Sequence, residues 1–147
     1  MLAIFQFFAV LASAIFAGAA IYINVAEHPA RMGCDTKTAV TVWAPSYQRA
    51  YVMQASLAVI GCVCGIAVWL LGGGILWLLG AVCIGVVIPF TFVVIMPTNR
   101  ALLAQGRDLG SEETRGLLVR WGRLHGVRSV LSLVSSLLFM VLLQRAA

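Results

Sequence analysis

Three long stretches of this sequence carry no charge. None occurs from Met1 to Ala26, between Arg49 and Arg100, or between Arg128 and Arg145. Hydrophobic residues make up 62% of the chain and charged ones 10%, against roughly 45–50% and 25% in soluble domains. A soluble fold of this size needs far more polar cover, so lipid is the alternative solvent. A spanning helix needs about 20 apolar residues. The first gap holds one span, the second holds two with a hinge at Gly72, Gly73 and Gly74, and the third holds one that starts slightly before it. The expected fold is an all-α, antiparallel four-transmembrane-helix bundle. It forms one membrane domain over residues 1–147, with spans at about 3–25, 50–71, 75–96 and 123–143. The first span lacks a basic n-region and is too long for a usual signal-peptide core, so it reads as a retained helix.

The net charge of +5 reads first as topology. The loops 26–49 and 97–128 lie on one side, because two spans separate them. They hold nine of the ten Lys and Arg residues, and only Arg145 falls on the other side. The positive-inside rule therefore predicts an inner-membrane, multi-pass protein with both loops cytoplasmic and both termini outside. No nucleic-acid motif is present. Cys62, Cys64 and Cys83 fall mid-helix and read as small apolar residues. With Cys34 they form no Cys-x-x-Cys pair, which discounts a thiol oxidoreductase. The first span is rich in Ala12, Ala14, Ala17, Gly18, Ala19 and Ala20, a close-packing face for its own bundle, a second copy or a membrane-complex partner.

Prolines punctuate the pattern. Pro29 is expected to stop helix one, and Met32–Pro45 to form a loop, with Pro45 and Ser46 starting helix two. Pro89 should kink helix three, and Pro97 should open a short segment to Gln105. Ser111 is a good N-cap, with Glu112 and Glu113 in the first turn of the last helix. A weak repeat relates Tyr47-Gln-Arg49-Ala-Tyr51-Val-Met-Gln54 to Trp121-Gly-Arg123-Leu-His125-Gly-Val-Arg128. Each follows an X-Pro step, at His28-Pro29 and Met96-Pro97. Two similar helical hairpins in one orientation would give this pattern.

Polar residues converge on the loop end. Trp121, His125 and Arg128 are spaced i, i+4, i+7 and share one helix face with Ser132. Tyr47, Tyr51 and Gln54 form the matching stripe on helix two. Helix one adds Asn24, Glu27, His28 and Arg31 at the same end, and the start of the loop 97–128 adds Asn99 and Arg100. An unpaired Arg at a membrane helix centre costs about 2.5–3.5 kcal/mol on the mildest scale, which favours facing the bundle over facing lipid. Plainer readings exist. Arg49, Arg100, Arg107 and Arg123 suit headgroup anchors, Trp43 and Trp121 an interfacial belt, and Trp69 and Trp77 a belt at the far face. Glu27 suits an i, i+4 ion pair with Arg31, and His28 a helix C-terminus.

The stretches Glu27-His28-Pro29-Ala-Arg31, Trp43-Ala-Pro-Ser-Tyr-Gln-Arg49 with Gln54, Met96-Pro97-Thr-Asn99 and Arg120-Trp121-Gly-Arg-Leu-His125 with Arg128 resemble the anthrone oxygenase-like family. These are small four-helix membrane proteins, mostly bacterial and without an assigned reaction. Fungal members oxidise an anthrone to an anthraquinone without a known cofactor. The resemblance implies a flat, hydrophobic aromatic substrate whose acidic methylene loses a proton and whose enolate meets O₂. The base titrates near the working pH, which suits His125 or His28. Arg128 and Asn99 would hold the oxyanion. Trp121 and Tyr51 would form an aromatic platform, with Gln54 and Glu27 completing the substrate site. A second reading has His28, His125 and Glu27 ligating a haem or transition metal. A third is an accessory subunit without chemistry.

Overall fold

The computed structural model describes residues 1–146. Four helices dominate: α1, Leu2–Met32; α2, Thr36–Gly73; α3, Ile75–Leu102; α4, Glu112–Arg145. Each is long and apolar enough to cross a membrane, and no strand occurs among the described residues. The chain is a multi-pass, all-α membrane protein. Each helix packs on the next, and α4 returns to α1, while the diagonal pairs scarcely touch. Short connections and alternating direction produce this up-and-down bundle. Val25, Leu70 and Val93 are each at least 70% exposed on its outer surface, where lipid replaces water as the favourable neighbour.

The helices are longer than their apolar runs, and the prolines do not end them. Residues 36–49, mostly expected in a loop, are helical. α2 begins at Thr36 because Asp35 caps it: its carboxylate accepts from the Thr38 amide at 3.0 Å and the Thr38 hydroxyl at 2.6 Å. Those two bonds hold the Asp35 carboxyl below the usual carboxylate range. Pro45 sits inside this helix.

Pro29 and Pro97 are absorbed in the same way. Each follows a wide, π-helical turn, Ile23–Glu27 in α1 and Thr91–Ile95 in α3. In each the residue before proline bonds five residues back, His28 N–H to Ile23 O and Met96 N–H to Thr91 O. Proline lacks an amide proton and clashes with the fourth carbonyl back. A turn holding one more residue moves that carbonyl aside, and the helix continues. Pro89 also lies inside helical structure. Ser111 does cap α4, accepting from the Thr114 amide at 3.2 Å.

At the loop end, Arg115 donates to the Met32 and Cys34 carbonyls, tying α4 to the α1–α2 link. Arg107 donates to the Ala101 carbonyl and pairs with Glu113 at 3.2 Å, so it closes its own loop rather than serving only as a headgroup anchor. Trp43 and Trp121 are buried with Ile95, Leu102 and Leu118, which overturns their reading as belt residues. At the opposite end, Gly72 and Gly74 turn the chain at φ of 90° and 91°, conformations that side chains with a Cβ resist. There Trp77 is also buried, stacked on Phe139 at 5.1 Å, while Trp69 is partly exposed. The small-residue face of α1 is spent on its own bundle: Ala9, Ala12, Ala17 and Ala20 are buried, and Gly18 faces outward.

Candidate functional site

The helical stripe of α4 points inward as its spacing predicts. Trp121, His125, Arg128, Ser129 and Ser132 are all buried. The same is true of Gln54 on α2 and Asn99 on α3, each 1% exposed. Gln54 lies within uncharged, largely apolar sequence, and lipid cannot satisfy its amide.

His125 is held in one orientation. Its Nδ1 lies 2.6 Å from Asn24 Oδ1. The Asn24 amide nitrogen donates to the Gly122 carbonyl at 2.9 Å, which fixes its oxygen toward the imidazole. That oxygen also accepts from Ser129 Oγ at 2.7 Å. An oxygen acceptor requires the proton on His125 Nδ1 and leaves Nε2 with the lone pair. The wide turn Ile23–Glu27 carries Asn24 to this position, a usual place for π-turns to serve a site.

Arg128 has an unusual setting. One guanidinium nitrogen donates to Gln54 Oε1 at 2.7 Å, and the Phe16 ring lies 5.4 Å from the guanidinium carbon. Its Nε and the Gln54 amide nitrogen are buried without a partner. The ion pairs among the described residues are Arg31–Glu27 and Arg107–Glu113, so no carboxylate meets Arg128. A buried guanidinium with spare donors and no counter-ion is suited to a ligand oxyanion.

Aromatic rings wall the site. Trp121 stacks on His125 at 4.9 Å and 29°, and meets Trp43 edge-on at 5.8 Å. Trp43 stacks on Tyr47 at 5.0 Å, and Tyr47 leads to Tyr51 at 6.0 Å. A small cavity of about 10 Å³ lies inside this wall, lined by Tyr47, Tyr51, Gln54, Trp121, His125 and Arg128, with Arg31 and Ser46. That is about the room one water needs and far below the roughly 300–1,000 Å³ of small-molecule sites, so the helices are closed on one another here.

The other expected residues fall around this cavity rather than in it. His28 is buried, 5.3 Å from Trp121, with its ring packed on Gly122; it lines a separate groove between α1 and α4. Glu27 accepts from Arg31 and from Ser46, so its expected ion pair is present. Asn99 lies beside Tyr47, with both amide atoms buried and unpaired. The set His28, His125 and Glu27 does not converge on one point, and among the described residues no group of three or more His, Cys, Asp or Glu is placed to hold a metal. That donor set does not fit a metal.

Three contributors escaped the stripe argument. Ser129 stands one turn after His125, so spacing alone could have found it. Asn24 reaches His125 only because its helix turn is widened. Ser46 gains its role through Glu27, across two helices.

The fold and this cluster define a small four-helix membrane protein that gathers an oriented imidazole, a buried guanidinium and an aromatic wall at one end of its bundle. The family model for anthrone oxygenases matches residues 43–138, which include Tyr51, Gln54, Asn99, Trp121, His125 and Arg128. The anthrone oxygenase tpcL of Aspergillus fumigatus is 33% identical over 144 residues, covering 88% of this chain and 87% of that protein. The anthrone oxygenase ptaC of Pestalotiopsis fici is 47% identical over 55 residues, covering 31% of this chain and 39% of that protein. The chain belongs to the anthrone oxygenase family. The relatives named are fungal, so they do not bear out a bacterial majority. No solved structure gives a significant match.

Proposed function

We propose that this protein oxidises the methylene of an anthrone-like aromatic ketone to a carbonyl with O₂, using no cofactor, in the cavity between α2 and α4. The observation that supports this best is the fixed tautomer of His125, with Nδ1 bound to Asn24 and Nε2 on a ring that lines the cavity. His125 is the general base. Arg128 carries the charge that develops on the substrate carbonyl oxygen. Trp121 and Tyr51 bracket the flat rings, and Gln54 holds Arg128 in place. Asn99 acts through Tyr47, and Glu27 through Arg31. His28 supports Trp121 from behind.

The chemistry balances without a metal. Nε2 takes one methylene proton, leaving an enolate whose negative charge sits on the oxygen near Arg128. The carbanionic carbon gives its electrons to O₂ and forms a C–O bond, yielding a peroxide at that carbon. Loss of the second C–H proton, with cleavage of the O–O bond, makes the new C=O. The departing oxygen leaves as water, taking up both protons. One anthrone and one O₂ give one anthraquinone and one water. Burial matters because a dry site strengthens the Arg128 interaction.

The loop end is assigned to the cytoplasmic side of an inner membrane, since nine of ten basic residues lie there. The deciding experiment follows O₂ uptake and anthraquinone formation from anthrone by the purified protein in lipid. One-to-one stoichiometry is expected, above the spontaneous rate. A protein no faster than lipid alone on any hydroxylated anthrone would sink the reading.

A further inference from the structure

A second small cavity, of about 30 Å³, adjoins the first. Tyr51, Gln54 and Arg128 line both, so the Arg128–Gln54 pair stands between them. The rest of its lining is apolar: Phe16, Ala55, Ala58, Val87, Ile88 and Phe92, together with Thr91. The Thr91 hydroxyl is turned away, donating to the Val87 carbonyl at 2.7 Å. The inner wall is buried, with Phe16 and Ala58 at 0% exposure and Val87 at 1%. The outer rim is open: Phe92 is 54% exposed, and Tyr51, Ala55 and Ile88 are half-buried.

The mouth lies between α2 and α3, at Tyr51, Ala55, Ile88 and Phe92. No charge occurs between Arg49 and Arg100. An uncharged, mainly apolar rim within such a stretch opens onto acyl chains rather than water. We infer that this cavity is a lateral vestibule through which a flat, apolar aromatic ketone passes from the bilayer to His125, with the Arg128–Gln54 pair as the partition it must cross. This rests on the proposed anthrone-type reaction. It adds a route and a ligand class: a molecule that partitions into lipid, parts α2 and α3 at this narrow opening as it enters, and presents one polar oxygen to the partition. The Gln54 amide nitrogen and Arg128 Nε are both donors without a partner. As the carbonyl oxygen arrives, it can accept from both without leaving either unpaired.

The test uses anthraquinone, which cannot be turned over, and anthrone, which can. Binding of anthraquinone to the full chain in phosphatidylcholine nanodiscs is followed by quenching of tryptophan emission, with stopped-flow for the association rate. Ala55→Phe places a ring in the vestibule without touching the reaction chamber. It should weaken binding and slow association at least tenfold, and cut anthrone turnover in parallel. Val42→Phe, at an exposed position of the outer groove between α1 and α2, should match wild type in both. Phe92→Ala widens the mouth at a largely exposed position and should speed association several-fold, which guards against a misfolded Ala55→Phe. Wild type that binds anthraquinone but never oxidises anthrone would remove the catalytic reading and leave the vestibule standing. Unchanged binding and turnover in both Ala55→Phe and Phe92→Ala would overturn the vestibule and leave the catalysis standing. No anthraquinone binding by wild type would overturn the vestibule as well.

Discussion

The two ends of the bundle use the same four helices and solve opposite problems. At the glycine-turn end the helices meet through small residues. Gly65 and Gly80 lie against the Phe139 ring, with Trp77, Val68, Ala9 and Ala81 completing the cluster. Ser135 donates to the Gly80 carbonyl at 2.8 Å, so its hydroxyl is satisfied across two helices. At the loop end, tryptophan, tyrosine, imidazole and guanidinium groups fill the same interhelical space and leave it incompletely filled. Several of their polar atoms are buried and unpaired, on Arg31, Gln54, Asn99 and Arg128. Each such atom costs about 1–3 kcal/mol unless water or a ligand meets it. The closed end thus carries stability, and the loop end keeps unsatisfied groups ready for a partner.

That division can be broken from either end. The largest effect is expected at the loop end: His125→Gln keeps hydrogen bonding to Asn24 but lacks a basic nitrogen. Turnover of anthrone should fall by about 10²–10⁴, the usual contribution of a general base, while the thermal transition in detergent stays in place. Full activity in a folded His125→Gln protein would transfer the role of base elsewhere, with His28 the next candidate.

Gly80→Val attacks the other end. A Cβ at Gly80 overlaps the Phe139 ring, so the variant should lose about 1–3 kcal/mol by overpacking. Protein that remains folded should turn over at the wild-type rate. Adding Phe139→Ala should recover part of the lost stability, which a denaturation series on the double variant measures. If Gly80→Val lowers the rate in proportion to stability, the two ends are one cooperative unit and the division fails.

A smaller change sharpens the comparison. Asn24→Ala frees the imidazole without removing it and should lower kcat on the order of tenfold through lost orientation, with KM little changed. Ser129→Ala should have less effect still, because Asn24 retains its bond to the Gly122 carbonyl. Steady-state kinetics on the pair resolves this, since a purely structural role would move the melting temperature and leave kcat alone.

The sequence made the four spans legible because charge cannot be hidden in lipid, and the three charge-free stretches mark them. It misplaced the helix ends because prolines were read singly as stops. Pro29 and Pro97 are each paired with a widened turn, and such a turn has no composition signal of its own. Of the site, Trp121, His125, Arg128 and Gln54 were legible from helical spacing and the cost of facing lipid. Asn24 was visible only as one more polar residue near a loop, since its role depends on the rotation of α1. Trp43 fell in an expected loop, where nothing in its neighbours distinguishes a core residue from an interfacial one.

The wide turn Ile23–Glu27 lodges one surplus residue in α1. Removing it would restore ordinary helix and swing the two flanking parts of α1 by about 100° relative to each other. Asn24 and the buried alanine face could then no longer both meet their partners. The aim of the His125 ring is therefore inherited as chain length and not as residue identity. A lineage would gain or lose that aim by a single codon insertion or deletion, a step that no series of point substitutions reproduces.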